Sequence, residues 1–301
     1  MHIKLGTRKS KLALWQAHHV EKLLLNNGHT VEIVKMVSEG DKVLDTPLPL
    51  MGGKGVFTKV LDDALLNKEI DIAVHSLKDI PTVSDKNLEI TAILKRENPT
   101  DALVCRNDLS FLNKKDAVIA TSSTRRKAQW LNKYPTHQIV DIRGNVPTRI
   151  KKLKESNWDA TLLACAGLIR LDLENEISKQ IDWMVGAPGQ GAVAIMSLKE
   201  NNKLKSVISE ISDPDTWLCT NIERQFLNTL NGGCSSPVGA HTYIEDNKVF
   251  FNGVVLNENG TKKININISE IKENALNLGV EAAKIAIDKG AKKLIDQNDK
   301  P

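Results

Sequence analysis

Three times between residues 117 and 170 an apolar run gives way to a polar turn and then to a helical pattern, and each turn carries arginine. Ala117 to Ala120 leads into Thr121–Ser122–Ser123–Thr124–Arg125–Arg126 and a helix to Asn132. Ile139 to Ile142 leads into Arg143–Gly144–Asn145–Val146–Pro147–Thr148–Arg149, and Trp158 to Ala164 into Ala166–Gly167–Leu168–Ile169–Arg170. Strands that alternate with helices build a largely parallel sheet. The turns leaving such strands share one edge, the edge at which open α/β sheets bind ligands. Arginines from separate turns therefore converge there. Arg125 and Arg126 also sit in the first turn of a helix, where each cation opposes the macrodipole by roughly 0.3–1 kcal/mol. An anionic ligand would reverse that sign, because arginine grips carboxylates bidentately.

The first hundred residues repeat the pattern. Ile3 to Gly6 reads as a strand and Lys11 to Leu25 as a helix closed by Asn27–Gly28. Between them Thr7–Arg8–Lys9–Ser10 can attract an anion to the helix start, although plain capping by Thr7 or Ser10 accounts for that turn alone. The adjacent His18 and His19 are surface or packing residues. Val31 to Val37 alternates as a second strand. Ser38 to Gly55, with Pro47, Pro49, Gly52, Gly53 and Gly55, is long for a loop in a compact domain, which points to function or motion. Its Gly53–Lys54–Gly55 lacks P-loop spacing. Ile70 to Val74 reads as a buried strand, and the residues after it, Ser76–Leu77–Lys78–Asp79–Ile80–Pro81, present a hydroxyl, an ammonium and a carboxylate on one loop. A solvated surface pair is the commoner meaning of such neighbours; a catalytic acid beside an anion-binding cation is the other.

Glu97 to Thr100 marks a crossing between domains, and Gly186–Ala187–Pro188–Gly189–Gln190–Gly191 a return before the strand Ala192 to Ile195. Asp213–Pro214–Asp215 caps a helix running to Leu230. His241 to Ile244, Lys248 to Leu256 and Lys262 to Ile268 form a small antiparallel sheet, closed by a helix from Ile271 to Lys289. The domains expected are residues 1–96 with 191–211, residues 97–190, and residues 212–301. At 301 residues, 41% hydrophobic and 26% charged, the chain has material for two or three globular domains. No apolar run reaches membrane-spanning length, and the start lacks a signal-peptide pattern, so a cytoplasmic protein is expected. The net charge of +4 demands no nucleic acid, and 4% aromatics offer few stacking platforms. Four widely spaced cysteines without a C-x-x-C pair argue against zinc or a disulfide framework. Cys105, Cys165 and Cys219 fit a core, whereas Cys234 stands on a Gly/Ser/Pro loop that favours exposure.

Thr7-Arg-Lys-Ser-Lys-Leu-Ala-Leu-Trp-Gln-Ala17, His75-Ser-Leu-Lys-Asp-Ile-Pro81, Thr121-Ser-Ser-Thr-Arg-Arg126, Arg143-Gly-Asn-Val and Gly232-Gly-Cys234 together resemble the porphobilinogen deaminase (hydroxymethylbilane synthase) family, in its order and near its spacing. The resemblance implies an α/β fold of two periplasmic-binding-protein-like domains with a crossing hinge, plus a small α+β C-terminal domain. It implies a dipyrromethane cofactor, built from substrate and joined by a thioether to Cys234. Four porphobilinogen units are then added head to tail with loss of ammonia, and hydrolysis frees the linear tetrapyrrole. By carry-over, Asp79 is catalytic, lying against pyrrole N–H groups and the cation that develops as ammonia leaves. Ser76, Lys78, Thr121, Ser123, Arg125, Arg126, Asn145 and Gly167 hold the cofactor. Arg8, Ser10, Phe57, Arg143, Arg149, Arg170 and Gln190 serve substrate, while Lys54 belongs to a lid formed by Ser38 to Gly55. No metal, nucleic acid or membrane is implied, and a monomer is expected. Thr124, Pro147, Met196 and Ser236 depart from the family pattern without removing a proposed catalytic group.

A non-catalytic carboxylate-binding protein of periplasmic type would use the same two lobes and arginine-lined cleft. Asp79 among the cations, a third domain with Cys234 and the missing signal sequence count against it. A nucleic-acid-binding protein would use the same arginines on phosphates and would show steep salt dependence.

Overall fold

The computed structural model describes residues 1–37, 58–233 and 235–296. The loop expected at Ser38 to Gly55, with Lys54, and the residues Phe57 and Cys234 lie outside the described residues.

The first sheet is built from β1 (His2–Arg8), β2 (Thr30–Met36), β3 (Ile72–Ser76), β4 (Leu88–Ile93) and β10 (Val193–Leu198), in the order β2-β1-β3-β10-β4. β1 runs parallel to β2 and β3, while β10 is antiparallel to both its neighbours. Side chains alternate between its faces. Ile3, Leu5, Ile72, Val74, Val193 and Ile195 pack with Ala17, Val20 and Leu24 of helix α1 (Lys11–Asn26). Ala73, Ala194 and Met196 pack with Leu61, Ala64 and Leu65 of α2 (Lys59–Leu66). With helices on both faces, β3 and β10 read as near-continuous apolar runs, whereas β1 and the edge strand β2 alternate.

The second sheet contains β5 (Asp101–Cys105), β6 (Val118–Ala120), β7 (Gln138–Val140), β8 (Ala160–Ala164) and β9 (Lys179–Ile181), ordered β7-β6-β8-β5-β9. β6 is parallel to β7 and β8, and β5 is antiparallel to β8 and β9. The two sheets share one layout, and in each the antiparallel strand is the one entered from the other unit. The segments joining them run side by side: Glu97 N–H donates to the Gly191 carbonyl at 3.1 Å, and Leu94 N–H to that of Val193 at 3.0 Å. Helices α3 (Thr124–Lys133), α4 (Val146–Glu155) and α5 (Cys165–Ile169) start from the turns that follow β6, β7 and β8, as the arginine-bearing pattern predicts.

After α6 (Asn202–Ser209), α7 (Pro214–Thr229) begins with Asp213 accepting from Thr216 N–H at 2.7 Å and Pro214 in its first turn. It packs with α8 (Leu278–Asp288) against the antiparallel sheet β11-β12-β13 (Val238–Glu245, Lys248–Leu256, Lys263–Ile271), through Phe226, Phe251, Ala282 and Ala286. The closing helix is shorter than expected. Ile271 still pairs with Lys248 in β13, and a 3-10 stretch over Lys272–Asn277 precedes α8. Strand β9, helix α6 and a last short helix, α9 (Ala291–Asp296), go beyond the elements expected, although Leu204, Val207, Ile208 and Ile211 in and just after α6 do fall at helical spacing.

Candidate active site

The stretch after β3 is pinned on several sides. Ser76 ends the strand, and its hydroxyl accepts from Gln16 Nε2 of α1 at 2.8 Å. Leu77–Asp79 forms one 3-10 turn, with Leu77 N–H donating to the Ala192 carbonyl at 3.0 Å and Ile80 N–H to that of Leu77 at 3.1 Å. Gly189, at φ +75°, lies against the Leu77 side chain so closely that a Cβ there would stand 2.8 Å from it. Lys78 and Asp79 are thus presented, half-buried, from a rigid support.

In the second unit, the arginines of α3 meet a carboxylate that local pattern did not bring to notice. Asp101, fully buried at the head of β5, accepts from Arg125 Nη1 and Nη2 at 2.7 and 3.2 Å and from Arg126 Nε and Nη2 at 2.9 and 2.7 Å. Arg125 Nη1 also donates to the Val185 carbonyl and Arg126 Nη1 to that of Leu162, at 2.8 and 2.9 Å. Burial alone would raise the Asp101 carboxyl, but the two guanidinium groups outweigh it and hold the group well below the usual carboxylate range. Asp101 therefore offsets one of the two guanidinium charges from within the protein, and the three groups together keep a net positive charge. The usable signal was a carboxylate opening an otherwise apolar strand, Asp-Ala-Leu-Val-Cys, because a buried charge needs a partner.

Gln190 is a hinge residue with no exposed surface. Its Nε2 donates to the Pro99 carbonyl and to Asp101 at 2.8 and 3.1 Å, and its Oε1 accepts from Lys78 Nζ at 3.4 Å and Arg125 Nη2 at 3.5 Å. One amide thus joins the ammonium of one lobe to the guanidinium of the other. Desolvation pushes the Lys78 ammonium down to about 8, with the Arg126 charge adding to the shift and Asp79 opposing it. Arg149, whose Nε donates to the Gly144 carbonyl at 2.7 Å, is lowered to about 10 by burial and by Arg126 and Arg143, again opposed by Asp79. Lys78, Asp79, Asp101, Arg125, Arg126, Arg143 and Arg149 therefore share one field in which cations outnumber carboxylates.

Other expected residues have local duties. Ser10 caps α1, accepting from Ala13 N–H at 3.3 Å, and Ser123 caps α3. Asn145 caps α4, accepting from Thr148 N–H at 3.0 Å, and the buried Thr121 accepts from Ser123 N–H at 3.2 Å. Gly167 lies in α5 near Leu12 and Val146. Arg8 ends β1 close enough to His75 for its charge to act on that ring. Arg170 reaches the hinge, donating through Nη2 to the Gly191 carbonyl at 2.7 Å while its guanidinium lies over Trp15, 5.3 Å from the ring centroid. Trp15 stacks in turn on His19, and His18 pairs with Glu21 at 2.9 Å, so both histidines serve packing or surface. Cys105, Cys165 and Cys219 are buried thiols. Among the described residues no helix is long and apolar enough to cross a membrane, and no cluster of three or more His, Cys, Asp or Glu side chains could hold a metal ion.

A surplus of fixed cations beside a single cleft carboxylate fits a polycarboxylate group such as a dipyrromethane. Lys78, Arg125, Arg126, Arg143 and Arg149 carry those positive charges.

Comparison with known proteins supplies the family. Residues 3–206 match the family described as "Porphobilinogen deaminase, dipyromethane cofactor binding domain", and residues 217–288 match "Porphobilinogen deaminase, C-terminal domain". The porphobilinogen deaminase of Desulforamulus reducens is 40% identical over 300 residues, covering 98% of this chain and 97% of that one. That of Nitratiruptor sp. is 41% identical over 303 residues, covering 99% and 97%. Among solved structures, the Bordetella pertussis BvgS periplasmic VFT2 domain aligns over 70% of this chain and 86% of its own, at a TM-score of 0.42 and 13% identity. The methionine-binding protein MetQ aligns over 72% and 92%, at 0.44 and 14%. The fold comprises two α/β units and a C-terminal α+β unit, and the chain belongs to the porphobilinogen deaminase family.

Proposed function

We propose that this chain deaminates porphobilinogen and joins four units head to tail on a dipyrromethane held at Cys234, releasing hydroxymethylbilane by hydrolysis. Asp79 carries the reading: its carboxylate stands in a cationic cleft, in a turn fixed by Gln16, Ala192 and Gly189. When bound, the dipyrromethane supplies the nucleophilic pyrrole carbon. The protein supplies position and charge. Lys78, Arg125, Arg126, Arg143 and Arg149 hold acetate and propionate groups, with Ser76, Thr121, Ser123, Asn145 and Gly167 along the same cleft edge. Arg8, Ser10 and Gln190 serve the incoming ring or the groups that align it. Asp79 stabilises the positive charge that develops as ammonia departs, in a site preorganised for it, and its Oδ atoms can relay a proton to the leaving amine.

The domains proposed are residues 1–96 with 191–211, residues 97–190 and residues 212–301, and a cytoplasmic monomer is proposed. Membership of the family displaces the reading as a non-catalytic carboxylate binder. Intact-protein mass tests the proposal: a covalent excess matching two pyrrole units, absent from Cys234→Ala, is expected, and its absence from active wild-type protein would overturn it.

A further inference from the structure

Pro81 has no N–H, and residues 81–87 belong to no helix or strand. The carbonyls that leave the Asp79 turn therefore need donor partners from elsewhere. They find them in the C-terminal unit. Arg224, half-buried on α7, donates from Nη1 to the Ile80 carbonyl at 2.9 Å and from Nη2 to the Pro81 carbonyl at 2.7 Å. A planar guanidinium fork fixes both distance and orientation of the two groups it grips, which a single ammonium cannot do. Its neighbour Glu223 anchors the same helix to the hinge. That buried carboxylate accepts from Arg96 Nη1 and Nη2 at 2.6 and 3.0 Å, from Gly189 N–H at 2.7 Å and from Thr242 N–H at 2.7 Å.

The exit of the turn is thus clamped from a third unit, while Ser76 and Leu77 are held from the lobe and hinge at its entrance. A structural arginine would serve equally well anywhere along an irregular segment. This one closes on the two residues that directly follow Asp79, from a helix whose preceding residue, Glu223, is fixed to the hinge. We propose that Arg224 is a positioning residue for the Asp79 carboxylate, acting through the Ile80–Pro81 backbone and not by contact with substrate. The inference rests on the catalytic reading of Asp79.

The test uses full-length enzyme with its covalent group, loading being checked by intact mass. Arg224→Gln is expected to lower kcat by about 10- to 100-fold, the scale of a misplacement near 1 Å, with KM within about twofold. Arg224→Lys, which keeps one donor on one carbonyl, should fall between. In an Asp79→Asn background the further loss from Arg224→Gln should shrink below about threefold, because the two side chains act through one group. Equal losses in both backgrounds, or a full-rate Arg224→Gln beside a slow Asp79→Asn, would overturn the inference alone. A near-normal Asp79→Asn would sink it together with the reading of Asp79. If Arg224→Gln does not fold, hydrogen exchange decides on Arg224→Lys: faster exchange confined to residues 78–83 supports the role, and unchanged exchange there defeats it.

Discussion

Arg126 brings two donors, Nε and Nη2, to a single oxygen of Asp101, at 2.9 and 2.7 Å. Neither group has appreciable exposure, so the pair lies where charge is costly unless compensated. Desolvating both ions cancels much of their attraction, and such a pair adds little net stability over an apolar one. Removing one partner is different, because the other is left charged and dry.

Asp101→Asn is therefore expected to destabilise the folded protein by about 3–5 kcal/mol. Urea unfolding followed by tryptophan fluorescence measures the change. A variant within 0.5 kcal/mol of wild type, on the order of an ordinary surface substitution, would show that Arg125 and Arg126 find other counter-charges.

Asp79→Asn keeps shape and removes charge, while the surrounding cations are untouched. Turnover should fall by roughly 10²–10⁴-fold, the usual worth of a positioned acid–base group, with little change in KM. Steady-state kinetics of porphobilinogen consumption give both values.

Stability should depend on His75 in mildly acid solution. Burial, with the Arg8 charge adding to it, lowers this imidazole from 6.5 to about 4, and its Nε2 has no hydrogen-bond partner among the described residues. Between those values the unfolded chain binds a proton that the folded one refuses. Stability is therefore lost as pH falls from 6.5 towards 4, by at most about 1.4 kcal/mol per pH unit for one proton. Urea midpoints at pH 7.5, 6 and 5 should fall more steeply for wild type than for His75→Gln; parallel slopes would contradict the assignment.

Gly191→Ala should loosen the hinge. The residue sits at φ +88°, and a Cβ would run into the Glu97 carbonyl oxygen. The left-handed backbone alone costs a non-glycine residue about 1–3 kcal/mol. Its own carbonyl also accepts from Glu97 N–H and Arg170 Nη2, at 3.1 and 2.7 Å, so relief by moving the chain breaks both bonds. Calorimetry should show a lower melting temperature.

The alternation of apolar runs, polar turns and helical spacing was enough to place both α/β units, the crossing segments and the arginines along the turns that leave the strands. These features are local: burial on one face, capping and turn chemistry act within a few residues, and Ser10, Ser123, Asn145 and Asp213 do cap the helices that follow them. The family motifs added the chemistry. What only the tertiary structure decided is which charges meet. Asp101 stands 24 residues before Arg125, Gln190 lies 112 after Lys78, and Arg224 lies 144 after Ile80. Nothing in the local pattern at either end of those pairs records the other, since each depends on two lobes and a third unit closing around one hinge. The sequence assigned Arg170 and Gln190 to substrate and the arginine pair to a ligand's charge. Folding adds contacts that no local pattern records: Arg170 meets the Gly191 carbonyl, Gln190 bridges the lobes, and Arg125 and Arg126 share the buried Asp101 carboxylate, because a desolvated cation needs a fixed partner.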